Sequence, residues 1–457
     1  MQTEVLNQAK EKPNYAVVAA VQLPSVTDLE FEASLNELRE LAKTLGYTVV
    51  KTFVQKRTGF DMKAYLGIGK QHEIRHYVNG ETTFDEHGES ISNPADIEIN
   101  TLLVDHEISP SQARNLELEV GCIVMDRTMV ILEIFHRNAR SRAARAQVEI
   151  ARLGYMAPRL REAAKLAGSQ GRQRSGEGGR GAGESQTELD KRKIRDRIAE
   201  LQLEIVAMEA ERKTQSARRH ERQGVAGVAL VGYTNAGKST LMRALTGSEV
   251  LAANKLFATL DTTVRALHPE SVPRVLVSDT VGFIKNLPHG LVASFKSTLD
   301  EALDAALLLH VIDASDPGFE RQLEVTNEVL AEIGANDPEH TIPRIKIFNK
   351  IDFVGDATAQ AEREAALEAK YPNCIVMSAR RPEDIAKLHQ IIVTFFQQDL
   401  ILAELFLPWT AQQHRGEIYA NCQVLAERSE ENGAYFKVRG EANNVKKLQD
   451  KIQLSSS

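Results

Sequence analysis

The stretch GVALVGYTNAGKSTLMRAL, residues 227–245, decides the fold, because an apolar segment leads through a glycine-rich turn into a helix-forming segment. The spacing Gly232-x-x-x-x-Gly237-Lys238-Ser239 in this context predicts a P-loop. Its glycines let backbone N–H groups approach phosphates, Lys238 offers a cation, and Ser239 offers a hydroxyl to Mg²⁺. The residues between the two glycines complete the predicted loop: Tyr233, Thr234, Asn235 and Ala236.

Two later segments are expected to recognise the base of the bound nucleotide and to distinguish guanine from adenine. The first, IKIFNKIDF (345–353), contributes Asn349, Lys350, Ile351 and Asp352. The second, CIVMSAR (374–380), contributes Ser378, Ala379 and Arg380. The Asp352 carboxylate can accept both the N1–H and the 2-amino N–H of guanine, whereas adenine offers neither donor. A backbone N–H of the second segment would reach the guanine O6. In this order after a P-loop, the motifs predict a GTPase.

Two segments between them are expected to respond to the γ-phosphate. VLVSDTVGF (275–283) places Asp279 where it supports Mg²⁺ through water, and Gly282 where its N–H can donate to the γ-phosphate as part of catalysis with Lys238. LFATLDTT (256–263) supplies Thr259 as the second Mg²⁺ ligand, with Thr262 and Thr263 as alternatives. The remaining residues assigned to GTP binding in these segments are Phe257, Ala258, Leu260, Asp261, Thr280 and Val281.

Phe283 and Asn235 bear on the expected rate of GTP hydrolysis and on its dependence on K⁺. Many GTPases have a water-orienting glutamine where this chain has Phe283, and a phenyl ring cannot make that hydrogen bond. Intrinsic hydrolysis is therefore expected to be slow. At the position of Asn235, several potassium-stimulated GTPases that resemble this domain have an asparagine that helps hold a monovalent cation such as K⁺ beside the phosphates. The alternative is that Asn235 only suits the geometry of the turn.

Composition is that of an ordinary soluble protein. The 457 residues predict about three domains. The sequence shows neither a long apolar run nor the charge order of a signal peptide. Its three scattered cysteines, Cys122, Cys374 and Cys422, argue against a disulfide framework. We therefore expect a cytoplasmic protein without an integral membrane segment.

A basic arm is expected on an acidic body. Residues 137–222 contain 21 Lys or Arg against 12 Asp or Glu, whereas the whole chain has a net charge of −7. Ile194, Ile198, Leu201, Ile205 and Met208 follow the spacing of a two-helix seam. The preceding helix is expected to be interrupted or kinked near Pro158. The segment GSQGRQRSGEGGRGAGE (168–184) would then be the tip of two antiparallel helices, with Arg172, Arg174 and Arg180 as candidate RNA contacts.

The predicted fold class is multidomain α/β, with four parts. Residues 1–136 form an N-terminal parallel α/β domain, 137–224 the two-helix arm, 225–397 a mostly parallel P-loop GTPase domain with helices on both faces, and 398–457 a small α+β domain. In the first part, Gly67-x-Gly69-Lys70 precedes a helix and either cradles a phosphate or is a plain turn. The last part is built around a turn at Glu431-Asn432-Gly433.

Several segments together resemble the HflX family of ribosome-associated GTPases. They are GYTNAGKSTL (232–241), LFATLD (256–261), DTVGFIKNLP (279–288), LLLHVIDASDP (307–317), LVDHEISPSQARNLE (103–117), VMDRTMVILEIF (124–135) and GGRGAGESQTELDKRKI (178–194). The resemblance implies binding to the large ribosomal subunit, with the arm tip near the peptidyl-transferase region, and GTP-linked splitting or rescue of ribosomes. It departs at Thr262 and Ala182, where the family usually has proline, and in the arginine content of the first arm helix.

Two other functions stay open at this point. One is an ATP-using RNA remodeller with a second nucleotide site at Gly67-x-Gly69-Lys70. The other is a signalling or scaffold G protein that dimerises through the helical seam. The leading hypothesis is a GTPase that is a monomer when free and is stimulated by the ribosome.

Overall fold

The structure is a computed structural model that describes residues 14–84, 90–91, 97–171, 186–223, 226–247, 256–257, 262–285, 302–335, 342–398 and 400–456. By their contacts, these residues form two compact units. The first contains the described residues up to Ile205 together with Leu256 and Phe257, and the second contains the others from Val206 onward. The predicted multidomain α/β class is confirmed.

A parallel sheet forms the core of the first unit. Its strands are β1 (Asn14–Gln22), β2 (Tyr47–Lys56), β5 (Ile99–Val104) and β6 (Ile123–Asp126), while β3 (Thr83–Phe84) and β4 (Ser90–Ile91) form a separate antiparallel pair. The order is β2-β1-β5-β6, and every neighbouring pair is parallel. Strand β1 is buried from Ala16 to its end, as expected for an apolar strand covered on both faces.

Four helices follow strands of this sheet, and two of them have clear start and stop signals. The four are α1 (Asp28–Leu45), α2 (Ile68–Val78), α3 (Pro110–Val120) and α4 (Arg127–Asn138). Helix α1 begins at a capping box between Thr27 and Glu30 and ends at Gly46, whose φ of 88° suits glycine. Helix α3 repeats this arrangement with Ser109 and Gly121. The predicted parallel N-terminal α/β fold is confirmed.

Two long helices follow, α5 (Arg142–Gly171) and α6 (Gln186–Gln223). They run antiparallel, since Glu149 accepts hydrogen bonds from Arg197 Nε (3.0 Å) and Nη2 (3.3 Å), whereas Arg142 lies 4.0 Å from Glu204. Leu201 is 2% exposed, and the other four predicted seam residues are partly buried. The two-helix arm is therefore confirmed.

Helix α5 was expected to be interrupted or kinked near Pro158, and it is anchored to the sheet beside this residue. It continues through Pro158 as one helix rather than being interrupted. The buried carboxylate of Asp126 accepts hydrogen bonds from Arg159 Nη2 (2.8 Å), the Tyr155 hydroxyl and the Ile108 backbone N–H (3.1 Å). This network attaches α5 to the end of β6. The predicted tip loop (168–184) begins too early, because residues 168–171 still belong to α5, and its remainder, with Arg172, Arg174 and Arg180, lies outside the described residues.

A six-stranded sheet forms the GTPase part of the second unit. Its strands are β7 (Ala226–Gly232), β8 (Thr263–Ala266), β9 (Val275–Asp279), β10 (Leu307–Asp313), β11 (Arg344–Asn349) and β12 (Ile375–Val376). The described helices are α7 (Lys238–Thr246), α8 (Phe319–Glu332), α9 (Ala357–Lys370) and α10 (Pro382–Gln397). The order is β12-β11-β10-β7-β9-β8, and only β8 is antiparallel to its neighbour. The predicted mostly parallel sheet is confirmed.

A small antiparallel sheet follows. Its elements are β13 (Ile401–Pro408), a 3₁₀ segment (Trp409–His414), α11 (Arg415–Asn421), β14 (Gln423–Glu430), β15 (Gly433–Gly440) and α12 (Ala442–Ser456). Strand β15 lies between β13 and β14 and is antiparallel to both. The predicted α+β fold and its turn before Gly433 are confirmed. Within the described parts of the chain, no helix is long and apolar enough to cross a membrane.

Candidate nucleotide-binding site

The P-loop between β7 and α7 depends on two glycines. Gly232 has a φ of 148°, and a Cβ atom there would lie 2.2 Å from the carbonyl oxygen of Val311. Gly237 has a φ of 98°, and its Cβ would lie 2.2 Å from Nδ2 of Asn349. Both contacts are too short for a side chain. The glycines therefore allow the loop to approach its neighbours closely and end at the N-terminus of α7, where helical N–H groups favour anions.

Lys238 is the first residue of α7 and is 7% exposed. Its Nζ donates hydrogen bonds to the carbonyl oxygens of Gly232 (3.0 Å) and Tyr233 (2.7 Å). Burial lowers the pKa of Lys238 to about 8, with the Asp279 carboxylate opposing this shift and Lys350 adding to it. Among the described residues its hydrogen-bond acceptors are uncharged, so its positive charge is available to a phosphate.

Ser239 and Asp279 place two oxygen donors side by side. The Ser239 hydroxyl donates a hydrogen bond to Asp279 Oδ2 at 2.7 Å. Thr280 directly follows the last residue of β9. Its hydroxyl donates a hydrogen bond to the Leu230 carbonyl at 2.7 Å, which links the end of β9 to β7. Thr234 is buried, and its Oγ1 has no hydrogen-bond partner among the described residues. Hard oxygen donors of this kind are those that Mg²⁺ prefers.

Gly282 is held against the P-loop by the residue that follows it. Phe283 N–H donates to the Gly232 carbonyl (3.1 Å), and Thr234 N–H donates to the Phe283 carbonyl (2.7 Å). A Cβ atom on Gly282 would lie 2.9 Å from Thr234 Cα and 3.0 Å from Lys238 Nζ. Val281 and the Phe283 ring are buried. The backbone at Gly282 therefore lies next to the ammonium of Lys238.

Asn349 joins three of the predicted segments. Its Nδ2 donates to the Ala236 carbonyl in the P-loop at 2.9 Å. Its Oδ1 accepts from the backbone N–H of Ala379 at 2.9 Å. The side chain is 2% exposed. One buried amide therefore positions the P-loop, the end of β11 and the loop after β12 relative to one another.

Asp352 lies in a 3₁₀ turn, Ile351–Phe353, that directly follows this amide. Its Oδ2 is 3.8 Å from Nη1 of Arg380, and the Arg380 guanidinium lies 4.8 Å from the centre of the Phe353 ring. The Asp352 side chain remains partly exposed. Ile351 is buried beneath the turn. A carboxylate at this place can still accept hydrogen bonds from a base.

Three contacts at the site were not predicted from the sequence. Lys350, whose φ is 63°, pairs with Asp313 Oδ2 at 2.7 Å. The buried Ser378 donates its N–H to Asp384 Oδ2 at 2.9 Å. The hydroxyl of Tyr233 accepts from the Lys285 N–H at 2.8 Å. Asp313 follows the apolar run LLLHVI, so its position at a strand end was the available signal.

The other predicted site residues are placed as follows. Asn235 is exposed and has a φ of 60°, a conformation that asparagine tolerates better than most residues. Phe257 lies in the first unit, where its ring is 4.5 Å from that of Phe135 and its carbonyl accepts from Asn138 at 3.0 Å. Four predicted residues lie outside the described ones: Ala258, Thr259, Leu260 and Asp261.

A P-loop, an Asn-Lys-x-Asp turn and a Ser-Ala loop joined by one buried amide define the class of protein: a P-loop GTPase. Family models agree along the chain. The GTP-binding GTPase N-terminal model matches residues 32–136, the GTP-binding GTPase middle-region model matches 138–219, and the 50S ribosome-binding GTPase model matches 227–350.

Relatives identify the family. The GTPase HflX of Gluconacetobacter diazotrophicus is 49% identical over 93% of this chain and 94% of that protein. The GTPase HflX of Escherichia coli K12 is 37% identical over 92% of this chain and 91% of its own. A solved GDP complex of SsGBP is 25% identical, covers 84% of this chain and 99% of that chain, and has a TM-score of 0.46. The chain belongs to the HflX family of GTPases.

Proposed function

We propose that this GTPase binds GTP and GDP with Mg²⁺ at the described site, associates with the large ribosomal subunit, and couples its GTP state to the splitting or rescue of ribosomes. The observation that carries the nucleotide part is the buried Asn349 amide, which bonds to Ala236 and Ala379. The ribosomal part is supported by the match of residues 227–350 to the 50S ribosome-binding GTPase model. We expect the protein to act in the cytoplasm and to be a monomer when free.

Guanine recognition would rest on Asp352. The Ala379 N–H, a candidate donor to the guanine O6, already donates to Asn349 at 2.9 Å, so the base would share it. Asp352→Asn replaces an acceptor by an amide and should shift preference towards xanthine nucleotides, which carry a carbonyl at position 2. Asp356→Asn, at the N-cap of α9, is the matched control. Unchanged GDP affinity in Asp352→Asn would show that Asp352 does not read the base.

The Ser239 hydroxyl would bind Mg²⁺, and the Asp279 carboxylate would support it. Ser239 Oγ and Asp279 Oδ2 lie 2.7 Å apart. Thr259 is the proposed second protein ligand. When bound, the metal neutralises charge on the β- and γ-phosphates. The chain's own groups then act as follows: Lys238 supplies a fixed positive charge, and the Gly282 N–H is held by the Phe283 contacts where it can meet the γ-phosphate.

Ribosome binding is tested by co-sedimentation with purified large and small subunits in GDP and in a non-hydrolysable GTP analogue. We expect pelleting with the large subunit that is stronger in the GTP analogue. Replacement of the tip arginines Arg172, Arg174 and Arg180 by alanine should weaken binding and its salt dependence, because fewer phosphates are neutralised. The matched control replaces three exposed arm cations: Arg142, Lys193 and Arg195. Absence of co-sedimentation in either nucleotide would contradict the ribosomal role.

Specific contacts disfavour the two other functions. Gly67 is the N-cap of α2, so the motif forms the first turn of that helix, where Lys70 pairs with Glu73 at 2.7 Å and the Gly67 N–H donates to Gln55 Oε1 at 3.0 Å. Leu201 of the arm seam is buried within the chain, so this position offers no surface to a second copy, whereas the other four seam residues are partly buried. Loss of ATP binding in Lys70→Ala, with Lys238 intact, would revive the remodeller hypothesis.

A further inference from the structure

The C-terminal sheet has one covered face and one open face. Leu405, Leu407, Phe436 and Val438 point into the core beneath α11 and α12. Alternation therefore sends the intervening residues to the opposite face. There the register pairs Leu402 with Arg439, Glu404 with Lys437, and Phe406 with Tyr435, and it places Arg428 beside Tyr435. On this face Leu402 is 60% exposed, Glu404, Phe406 and Lys437 are also exposed, and Tyr435 and Arg439 are partly buried.

Aromatic rings form a row across the open face. The Phe406 and Tyr435 rings are 4.7 Å apart, and the Arg428 guanidinium lies 5.4 Å from the Tyr435 ring centre. Trp409 follows β13 and lies at the hairpin end, where its indole N–H donates to the Glu431 carbonyl at 3.0 Å. Phe406 is 38% and Trp409 45% exposed. These rings are held in place by the fold yet remain accessible.

Gly433 explains how Phe406 can lie flat against the neighbouring strand. A Cβ atom at Gly433 would be 2.8 Å from Cζ of Phe406 and 2.5 Å from the Leu407 carbonyl oxygen. Any side chain there would push the Phe406 ring away from the sheet. The glycine therefore preserves a flat, ring-lined surface rather than a turn conformation.

Positive groups lie next to the rings. Lys437 and Arg439 project from the middle strand, and Arg428 projects from β14. The facing carboxylates are Glu404, opposite Lys437, and Glu430, which pairs with Arg428 at 2.7 Å. Rings in a row with adjacent guanidinium and ammonium groups suit unstacked bases and their phosphates, because every base has a π-face. An apolar protein partner would not need the two central cations.

We propose that the open face of the β13-β15-β14 sheet binds single-stranded RNA, with bases stacking on Phe406 and Tyr435 and phosphates meeting Lys437 and Arg439. This inference rests on the proposed ribosomal function, since ribosomal RNA is the source of such a strand. It assigns the C-terminal domain as a second RNA contact, separate from the arm tip.

The test measures how tightly the full chain binds a fluorescent single-stranded RNA. An RNA of about 12 nucleotides is long enough to stack a few bases on the rings. Phe406→Leu/Tyr435→Leu keeps apolar bulk and should weaken binding about tenfold or more. Lys437→Gln/Arg439→Gln should lower the slope of log K against log salt by about 1.4, the value for two phosphates on a single strand. The measurements are repeated with Arg172, Arg174 and Arg180 replaced by alanine, so that the arm tip does not contribute.

Matched controls lie on the other side of the same domain. Tyr419→Leu removes an exposed ring of α11, and Lys446→Gln/Lys447→Gln removes two exposed charges of α12. Neither control should alter RNA binding. Unchanged melting temperatures establish that each variant folds. Ultraviolet cross-linking of a 4-thiouridine RNA should label the peptide that contains Tyr435.

The outcomes separate this inference from the proposed function. Normal RNA binding by the ring variant overturns the inference, while co-sedimentation with the large subunit still stands on its own. Normal RNA binding together with reduced co-sedimentation would show that the face takes a protein, which also overturns it. Ring-dependent RNA binding without any co-sedimentation supports the inference and removes the ribosomal role instead.

Discussion

His310 is the residue whose titration should most affect the stability of the GTPase sheet. It lies in the central strand β10, is 2% exposed, and is paired in register with Val231 and Lys346. Burial, together with the nearby cations Arg344, Lys346 and Lys238, lowers the pKa of His310 to about 3. Folded His310 is therefore neutral at every pH at which the protein is handled, whereas an unfolded histidine is charged below about pH 6.5.

The sign and size of the effect follow from that difference. Between about pH 6.5 and pH 3 the unfolded state binds the extra proton, so stability is present above the unfolded pKa and is lost as pH falls. Each pH unit costs about 1.4 kcal/mol, so lowering the pH to 5 removes about 2 kcal/mol through His310 alone. His310→Leu should abolish this contribution, because leucine does not titrate.

The assay is pulse proteolysis in urea of the full chain and of His310→Leu, at pH 7 and pH 5. Other titrating groups are shared, so the difference between the two pH-dependent losses isolates His310. We expect the variant to lose about 2 kcal/mol less than the parent over this range. Equal losses in both proteins would refute the reasoning, as would a ¹³C-histidine titration that places the pKa of His310 near its usual value.

Four further predictions concern the nucleotide site. Raising the pH from 7 to 9 should weaken GDP binding about tenfold, because free Lys238, with its pKa lowered to about 8, loses the proton that a phosphate requires; a flat profile in a fluorescent-GDP titration would contradict this. Gly282→Ala should reduce phosphate release more than GDP affinity, because its Cβ would lie 3.0 Å from Lys238 Nζ, and unchanged hydrolysis would count against it. Ser239→Ala should weaken Mg²⁺-dependent GTP binding, whereas Thr259→Ala should damage the GTP state and spare GDP binding; equal effects of Thr259→Ala on both nucleotides would point to another threonine. Hydrolysis measured in K⁺ and in Na⁺ at equal ionic strength tests Asn235, and equal rates would exclude the cation role.

The local backbone geometry of the loop between β7 and α7 could be predicted from the sequence, because glycine positions depend on neighbours in the chain. The φ values of 148° at Gly232 and 98° at Gly237 are an example, since only glycine adopts them readily. Contacts between distant segments were not predictable in this way. The pairing of Lys350 with Asp313, and the Asn349 bond to Ala236, depend on how parallel strands align, and spacing alone does not specify that alignment.

The same limit applied to the C-terminal domain. Its alternating residues identified strands on both sides of Gly433, but alternation does not say which face is covered. That choice depends on where α11 and α12 dock, a long-range property of packing. The row of Phe406, Tyr435 and Arg428 became recognisable only once the register was known. Likewise, the sequence predicted that the helix is interrupted or kinked near Pro158, yet α5 is not interrupted there, and tertiary contacts such as the Arg159 bond to Asp126 stabilise it.

Phe283 lacks the water-orienting group of a glutamine, but its apolar ring packs in the core beside the phosphate-binding loop. Its ring is 2% exposed, and its backbone makes both hydrogen bonds of the bridge to Gly232 and Thr234. A glutamine here would have to bury a polar amide or leave the core and weaken this anchor. The backbone of residue 283 holds Gly282 beside Lys238 while the phenyl ring fills the core, and we expect another group to orient the attacking water. This explains physically why a chain with an intact phosphate-binding loop is expected to hydrolyse GTP slowly when alone.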